Sequence, residues 1–301
     1  MAGLCAARIV IVTGAGRGLG RAYALGFARA GAKVVVNDLG TSLAGAGNDT
    51  ATAQAVVDEI QASGGEAVAN ADDVSEWDSA ARIVATAVQR FGGLDVVVNN
   101  AGFVRDRMFV NATLEEWDAT MKVHLRGHFC VTRHAVDYWR ACAKQGTPVD
   151  ARIINTSSGA GLNGSVGQSA YAAAKAGIAT LTLVQAAELA RYGITANALA
   201  PAARTRMTEP VFGAQMKTPD GGFDVYDPDN VAPVVVWLGS SAARDVSGCV
   251  FELSGGRITI DDGWNDGPTV DKQARWEPDE VGPAVARLLA QRRPQKKVYG
   301  T

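Results

Sequence analysis

Short apolar runs recur along the chain at 8–12, 33–37, 66–70, 95–99, 152–156, 195–199 and 249–253. In KVVVN, DVVVN and RIINT the apolar character is nearly continuous rather than alternating, which fits strands with both faces buried. Segments 17–30, about 50–63, 75–91, 113–144, 169–192 and 231–241 carry apolar residues at helical spacing. Strands alternating with helices over this length predict an α/β fold, a doubly wound parallel sheet covered by helices on both faces. The polar stretch 202–230 is too long for an ordinary connection and is expected to be a mobile lid or disordered. After Gly256 the pattern turns irregular, then amphipathic, and closes on the basic RRPQKK, expected to fray as a solvated tail.

Composition narrows the class. The 301 residues hold 29 Lys+Arg against 31 Asp+Glu, a net charge of −2, so no charge excess points to nucleic acid or a membrane surface. No apolar run approaches the roughly 20 residues of a membrane helix. The opening apolar run is short, carries Arg8 and leads into glycines, so it reads as a buried strand and not a signal peptide. The four cysteines, Cys5, Cys130, Cys142 and Cys249, show no close pairing and read as free thiols in a reducing compartment. A cytoplasmic protein is the expectation.

All three histidines, His124, His128 and His134, fall in one helical segment around VHLRGHF. His124 and His128 share a helix face, as in a helical zinc-hydrolase motif. That motif needs a glutamate beside the first histidine, and Leu125 and Arg126 stand there instead. No metal site is expected.

The sequence TGAGRGLG (13–20) follows a predicted strand and opens a predicted helix. Small residues there, including Gly14 and Gly18, let a backbone approach a pyrophosphate at a helix N-terminus. The second strand ends in Asp38, placed to accept hydrogen bonds from adenosine ribose hydroxyls and to repel a 2′-phosphate. This favours NAD over NADP. Arg17 within the loop is the counter-indication, and a loop-capping role is the alternative for Asp38. Two more segments sit at strand ends, ADDV (71–74) and NNAG (99–102).

Tyr171 and Lys175, in YAAAK, lie on one face of a predicted helix. An ammonium beside a phenol favours the phenolate and makes it a proton shuttle for a carbinol or carbonyl oxygen. Ser158, at the end of the strand IINTSS, is placed to hold that oxygen.

These motifs, TGAGRGLG, DVVVNNAG, Ser158 and YAAAK in that order, resemble the short-chain dehydrogenase/reductase family over roughly residues 8–256. The resemblance implies a Rossmann fold, an NAD cofactor and hydride transfer at a secondary alcohol or ketone. Residues 1–256 are expected to form the NAD-binding dehydrogenase domain; the region beyond Gly256 does not match the family well, and 257–301 is expected to be an extension packing on or near the substrate cleft. The resemblance also implies Tyr171 as general acid/base, Ser158 as orienter of the substrate oxygen, and Lys175 as the group that lowers the tyrosine pKa and holds the nicotinamide ribose. Gly14, Arg17, Gly18, Leu19 and Asp38 would cradle the dinucleotide. Asp73, Val74, Asn100 and Gly102 would contact it further along, with Pro201 and Ala202 near the nicotinamide.

His124 stands where relatives often carry asparagine, so it is either a proton-path residue behind Lys175 or a satisfied core histidine. That feature, with the long segment NDLGTSLAGAGNDT and the wording KVHLRGHF and FELSGG, is similar to the branch of (3R)-hydroxyacyl-CoA dehydrogenase units of peroxisomal multifunctional enzymes, also described as 17β-hydroxysteroid dehydrogenases. A stand-alone relative of such units is expected, acting on a 3-hydroxyacyl-CoA or a 17β-hydroxysteroid. An NADPH-dependent 3-oxoacyl carrier-protein reductase and a non-catalytic dinucleotide sensor are the alternatives. Arg105, Arg107 and Arg206 either meet the phosphates of an acyl-CoA or make surface ion pairs. Helices 113–144 and 169–192 have more apolar positions than one sheet face covers, implying a homodimer or homotetramer.

Overall fold

The computed structural model describes residues 3–41, 47, 49–208, 213, 216–294 and 296–301. Parts of the segment after the second strand and of the stretch 202–230 therefore lie outside the described residues.

The predicted strands form one sheet: β1 (Ile9–Thr13), β2 (Lys33–Asn37), β3 (Glu66–Asn70), β4 (Val96–Asn99), β5 (Ala151–Thr156), β6 (Ile194–Ala202) and β7 (Val250–Ser254). With β8 (Arg257–Asp261), the order is β3-β2-β1-β4-β5-β6-β7-β8. All neighbours pair in parallel except β7 and β8. Every residue of β1, β4 and β5 is buried, which accounts for their unbroken apolar runs. Alternate residues feed the two faces. Val10, Val12, Val34 and Val36 pack with Tyr23 and Phe27 of α1 (Gly18–Arg29), Ile60 of α2 (Ala51–Ala62) and Leu238 of α8 (Ala232–Gly239). Ile11, Val35, Val97 and Ile153 pack with Ile83 of α3 (Trp77–Phe91) and with Val131 and Trp139 of α5 (Gly127–Lys144). Strand order reverses between β1 and β4, so a crevice opens at the carboxyl ends of the strands there.

The structure departs from the sequence reading in four places. Segment 113–144 is two helices: α4 (Leu114–Met121), started by a Thr113–Glu116 capping box, and α5, joined through a π-helical turn at Lys122–Arg126. Such a turn interrupts the helical register without ending the apolar period. A short helix, α6 (Gly159–Asn163), follows Ser158 and precedes α7 (Ser169–Leu189). The stretch read as irregular after Gly256 begins with β8, because Ser254 pairs with Arg257 across a Gly255-Gly256 hairpin turn with Gly255 at φ +55°.

The basic end is exposed, as expected of a solvated tail, but it is tied down at Lys296 and Tyr299. The amphipathic segment is α9 (Pro278–Gln291). Beyond it, Lys296 pairs with Glu252 at 3.2 Å and Asp261 at 2.9 Å, and Tyr299 O accepts from Val166 N at 2.9 Å. Two acidic side chains at the β7–β8 edge and a free backbone edge at 164–166 supply what a solvated tail would lack. Within 202–230, the described ends are tied together by Arg204 N donating to Tyr226 O at 2.7 Å and by an Arg204–Asp224 ion pair.

Candidate active site

The glycine loop is shaped by close backbone approach. Gly14 has φ +63°, and a Cβ there would stand 2.8 Å from Ala101 Cα. A Cβ on Gly20 would stand 2.0 Å from Gly14 O. Asn100 braces the loop, its Nδ2 donating to Thr13 O at 3.0 Å and to Gly14 O at 3.1 Å. Arg17 precedes α1 in an extended conformation and its side chain does not cap the helix. The guanidinium instead reaches Thr52 Oγ1 at 3.1 Å.

Asp38 accepts from Gly16 N at 2.8 Å and from Gly40 N at 2.7 Å, so it ties the end of β2 to the glycine loop. It thus caps a loop and faces the groove together. Asp73 accepts from Ser75 N at 2.8 Å and Ser75 Oγ at 2.7 Å. Gly14, Arg17, Gly18, Leu19, Asp38, Asp73, Val74, Asn100 and Gly102 line one continuous groove. Pro201 and Ala202, at the end of β6 beside Leu253 and Ser254, are not in its lining. The sequence reading missed Leu39, Phe103 and Thr205, which also line it. All three lie within four residues of a strand's carboxyl end, after β2, β4 and β6, which is the signal that could have found them. Arg206 joins the groove, its pKa lowered by burial and by Arg17 and supported by Asp38.

Ser158, Tyr171 and Lys175 converge beside this groove. Ser158 Oγ caps α6 by accepting from Ala160 N at 3.2 Å and shares a hydrogen bond with the Tyr171 phenol. Tyr171 and Lys175 stand on the first turns of α7, with Lys175 Nζ 5.6 Å from the Tyr171 ring centroid. Lys175 Nζ donates to Thr156 O at 2.6 Å. Burial pulls the Lys175 pKa down to about 7. Burial pushes Tyr171 upward, opposed by its bond to Ser158 and reinforced by Asp106.

The three histidines serve different partners. His124 Nε2 lies 2.7 Å from Phe103 O and 3.2 Å from Phe103 N. The shorter contact assigns the proton to Nε2, leaving Nδ1 buried as an acceptor with no partner among the described residues. The imidazole meets the Tyr171 ring edge-on at 5.2 Å. Burial, then the charge of Lys175, holds its pKa down to about 3, so it is neutral. A Cβ on Gly102 would fall 2.3 Å from His124 Cε1, so the glycine of NNAG makes room for this ring. His128 accepts from Thr156 N at 3.3 Å, and His134 reaches Trp77 O at 3.0 Å. Among the described residues no group of His, Cys, Asp and Glu is placed to hold a metal ion.

Residues 8–215 match the family model described as short chain dehydrogenase. The chain belongs to the short-chain dehydrogenase/reductase family. It is 46% identical over 98% of its length to a hydroxyacyl-CoA dehydrogenase, ChsB1, of Mycobacterium tuberculosis, covering 92% of that protein. It is 45% identical over 83% of its length to mouse peroxisomal multifunctional enzyme type 2, of which it spans 32%. Its fold matches the crystal structure of a short chain dehydrogenase from Mycobacterium avium with a TM-score of 0.89 and 59% identity, covering 99% of this chain and 100% of that one. The family is one of oxidoreductases using a nicotinamide dinucleotide, and the glycine approach, the carboxylate at the end of β2 and the open groove fit such a group.

Proposed function

We propose that this enzyme oxidises the hydroxyl of a 3-hydroxyacyl-CoA, or reduces the corresponding ketone, with NAD(H) as coenzyme. The observation that carries the chemistry is the convergence of Ser158, Tyr171 and Lys175 at the carboxyl ends of β5 and α7's first turns. Bound nicotinamide supplies the hydride acceptor or donor. Ser158 Oγ holds the substrate oxygen by donating to it. Tyr171 Oη removes the carbinol proton during oxidation and returns it during reduction, and charged Lys175 stabilises the resulting phenolate. The acyl-CoA preference rests on the relatives described above. A 17β-hydroxysteroid offers the same secondary carbinol and belongs in the same assay.

The coenzyme preference rests on Asp38, whose carboxylate lines the groove beside Gly16 and would meet the adenosine ribose there. Arg17 and Arg206 near it are the feature that would favour a 2′-phosphate. Arg107 is engaged with Glu116 at 2.9 Å, and Arg105 stacks over Phe103 at 5.0 Å, so neither stands as a ready phosphate clamp. Four free thiols fit a reducing cytoplasm, and among the described residues no helix is long and apolar enough to cross a membrane. Exposed Phe129 on α5 and Leu183 and Val184 on α7 support a homo-oligomer that pairs these helices across a two-fold axis.

The test is a panel of 3-hydroxyacyl-CoA thioesters and 17β-hydroxysteroids with NAD and NADP, run on wild type and Tyr171→Phe. The proposal expects NAD-dependent turnover of the thioesters, reduced about 1,000-fold or more by the substitution. Equal turnover by Tyr171→Phe would overturn the mechanism, and a strong NADP preference would overturn the coenzyme assignment.

A further inference from the structure

The segment between Ser158 and Tyr171 carries both residues that face the substrate oxygen, so whatever holds that segment shapes the entrance beside them. It is held from two sides. On one, Arg107 N donates to Gly167 O at 2.7 Å and Gln168 Nε2 donates to Asp106 Oδ1 at 2.8 Å. On the other, the end of the chain lies alongside it. Val166 N donates to Tyr299 O at 2.9 Å, Tyr299 N donates to Gly164 O at 3.2 Å, and Ser165 and Tyr299 form a parallel bridge.

The Tyr299 side chain reaches the residue next to the catalytic serine. A Cβ on Gly159 would stand 2.5 Å from Tyr299 Oη and 3.0 Å from its Cε2, so Gly159 is bare where the phenol lies. Val298 packs near Gly164, whose added Cβ would meet both Val298 methyls at 3.5 Å. Lys296 anchors the approach through its paired contacts to Glu252 and Asp261, and those carboxylates hold its pKa above the usual lysine range. Yet Tyr299 remains 40% exposed and Val298 42% exposed. A partly exposed aromatic fixed by backbone pairing beside Gly159 offers a wall with an apolar face and a hydroxyl tip.

We propose that residues 298–301 form a strap along one side of the substrate entrance, and that Tyr299 is a specificity-determining residue for the part of the substrate beyond the reacting carbinol. This rests on the acyl-CoA reading of the site. A long or bulky acyl group extends past Ser158 and lies against Tyr299, whereas a four-carbon acyl group does not reach it. Tyr299 takes no part in proton or hydride transfer.

The test compares wild type, Tyr299→Ala, Tyr299→Phe and a chain ending at Lys297, each with 3-hydroxybutyryl-CoA and 3-hydroxyhexadecanoyl-CoA. The strap predicts that Tyr299→Ala and the shortened chain raise KM for the long thioester about tenfold while leaving kcat for the short one within about twofold, and that Tyr299→Phe retains most of the long-chain preference. An equal change for both thioesters, or none for either, overturns it. Hydrogen exchange gives a second readout that does not depend on the substrate. Shortening the chain is expected to speed exchange at the Val166 amide, and unchanged protection there overturns the strap. Wild type inactive on both thioesters would instead overturn the acyl-CoA reading, leaving the exchange result to judge the strap on its own.

Discussion

The Lys175 ammonium donates to the Thr156 carbonyl at 2.6 Å. The last residue of β5 therefore fixes the lysine of α7, and Ser158 follows two residues beyond that strand end, capping α6. His128 in turn accepts from Thr156 N at 3.3 Å, so the N–H and the carbonyl of Thr156 are each held by a helix side chain.

Lys175 is buried with its pKa lowered to about 7, against 10.5 for an ordinary lysine. Between these values the unfolded chain binds more protons than the folded one, so this group makes stability rise with pH across that window. Urea unfolding of wild type and Lys175→Met from pH 6 to 10 is expected to show wild type gaining on the variant as pH rises. A difference independent of pH would contradict the assigned protonation.

His124 behaves in the same sense at lower pH. Its pKa of about 3 lies below the ordinary 6.5, so the unfolded chain takes up a proton first and stability falls as pH drops from 6.5 towards 3. His124→Ala is expected to flatten that acid-side loss while costing about 1–3 kcal/mol near neutrality, since Phe103 O loses its donor. A proton-path role adds a shifted pH–rate profile for this variant. An unchanged profile with lowered stability would leave His124 as a packing residue.

Gly102→Ala is expected to displace the His124 imidazole, because its Cβ would stand 2.3 Å from the ring. Loss of about 1–3 kcal/mol is the expected cost of such overpacking. Restoration of stability in Gly102→Ala/His124→Ala would show that the two residues compete for one volume, measured as a double-mutant cycle.

Asp38→Ser removes the carboxylate that offsets the effect of Arg17 on Arg206. The kcat/KM ratio of NADP to NAD is expected to rise at least about tenfold. A ratio unchanged by the substitution would show that Asp38 serves only to tie Gly16 and Gly40.

Much of the fold was legible in the chain because a parallel sheet buried on both faces writes itself as continuous apolar strands. KVVVN and DVVVN, short and rich in valine, read as strands buried on both faces. The hairpin to β8 was hidden because RITID has an outward face, with Ile258 60% exposed, and follows glycines that also end domains. The π turn at Lys122–Arg126 was hidden because it keeps apolar residues near their helical positions.

The sequence by itself determined the strand–helix alternation, the glycine loop, and the residue types at positions 38, 158, 171 and 175, since each follows from local spacing and side-chain chemistry. Only the tertiary structure decided that burial sets the pKa directions of Tyr171, Lys175 and His124, because desolvation depends on what surrounds a group in three dimensions. It also decided that the chain's end lies beside Gly159. Pairing between positions 165 and 299 is a long-range backbone contact, and no periodicity within either segment encodes its partner.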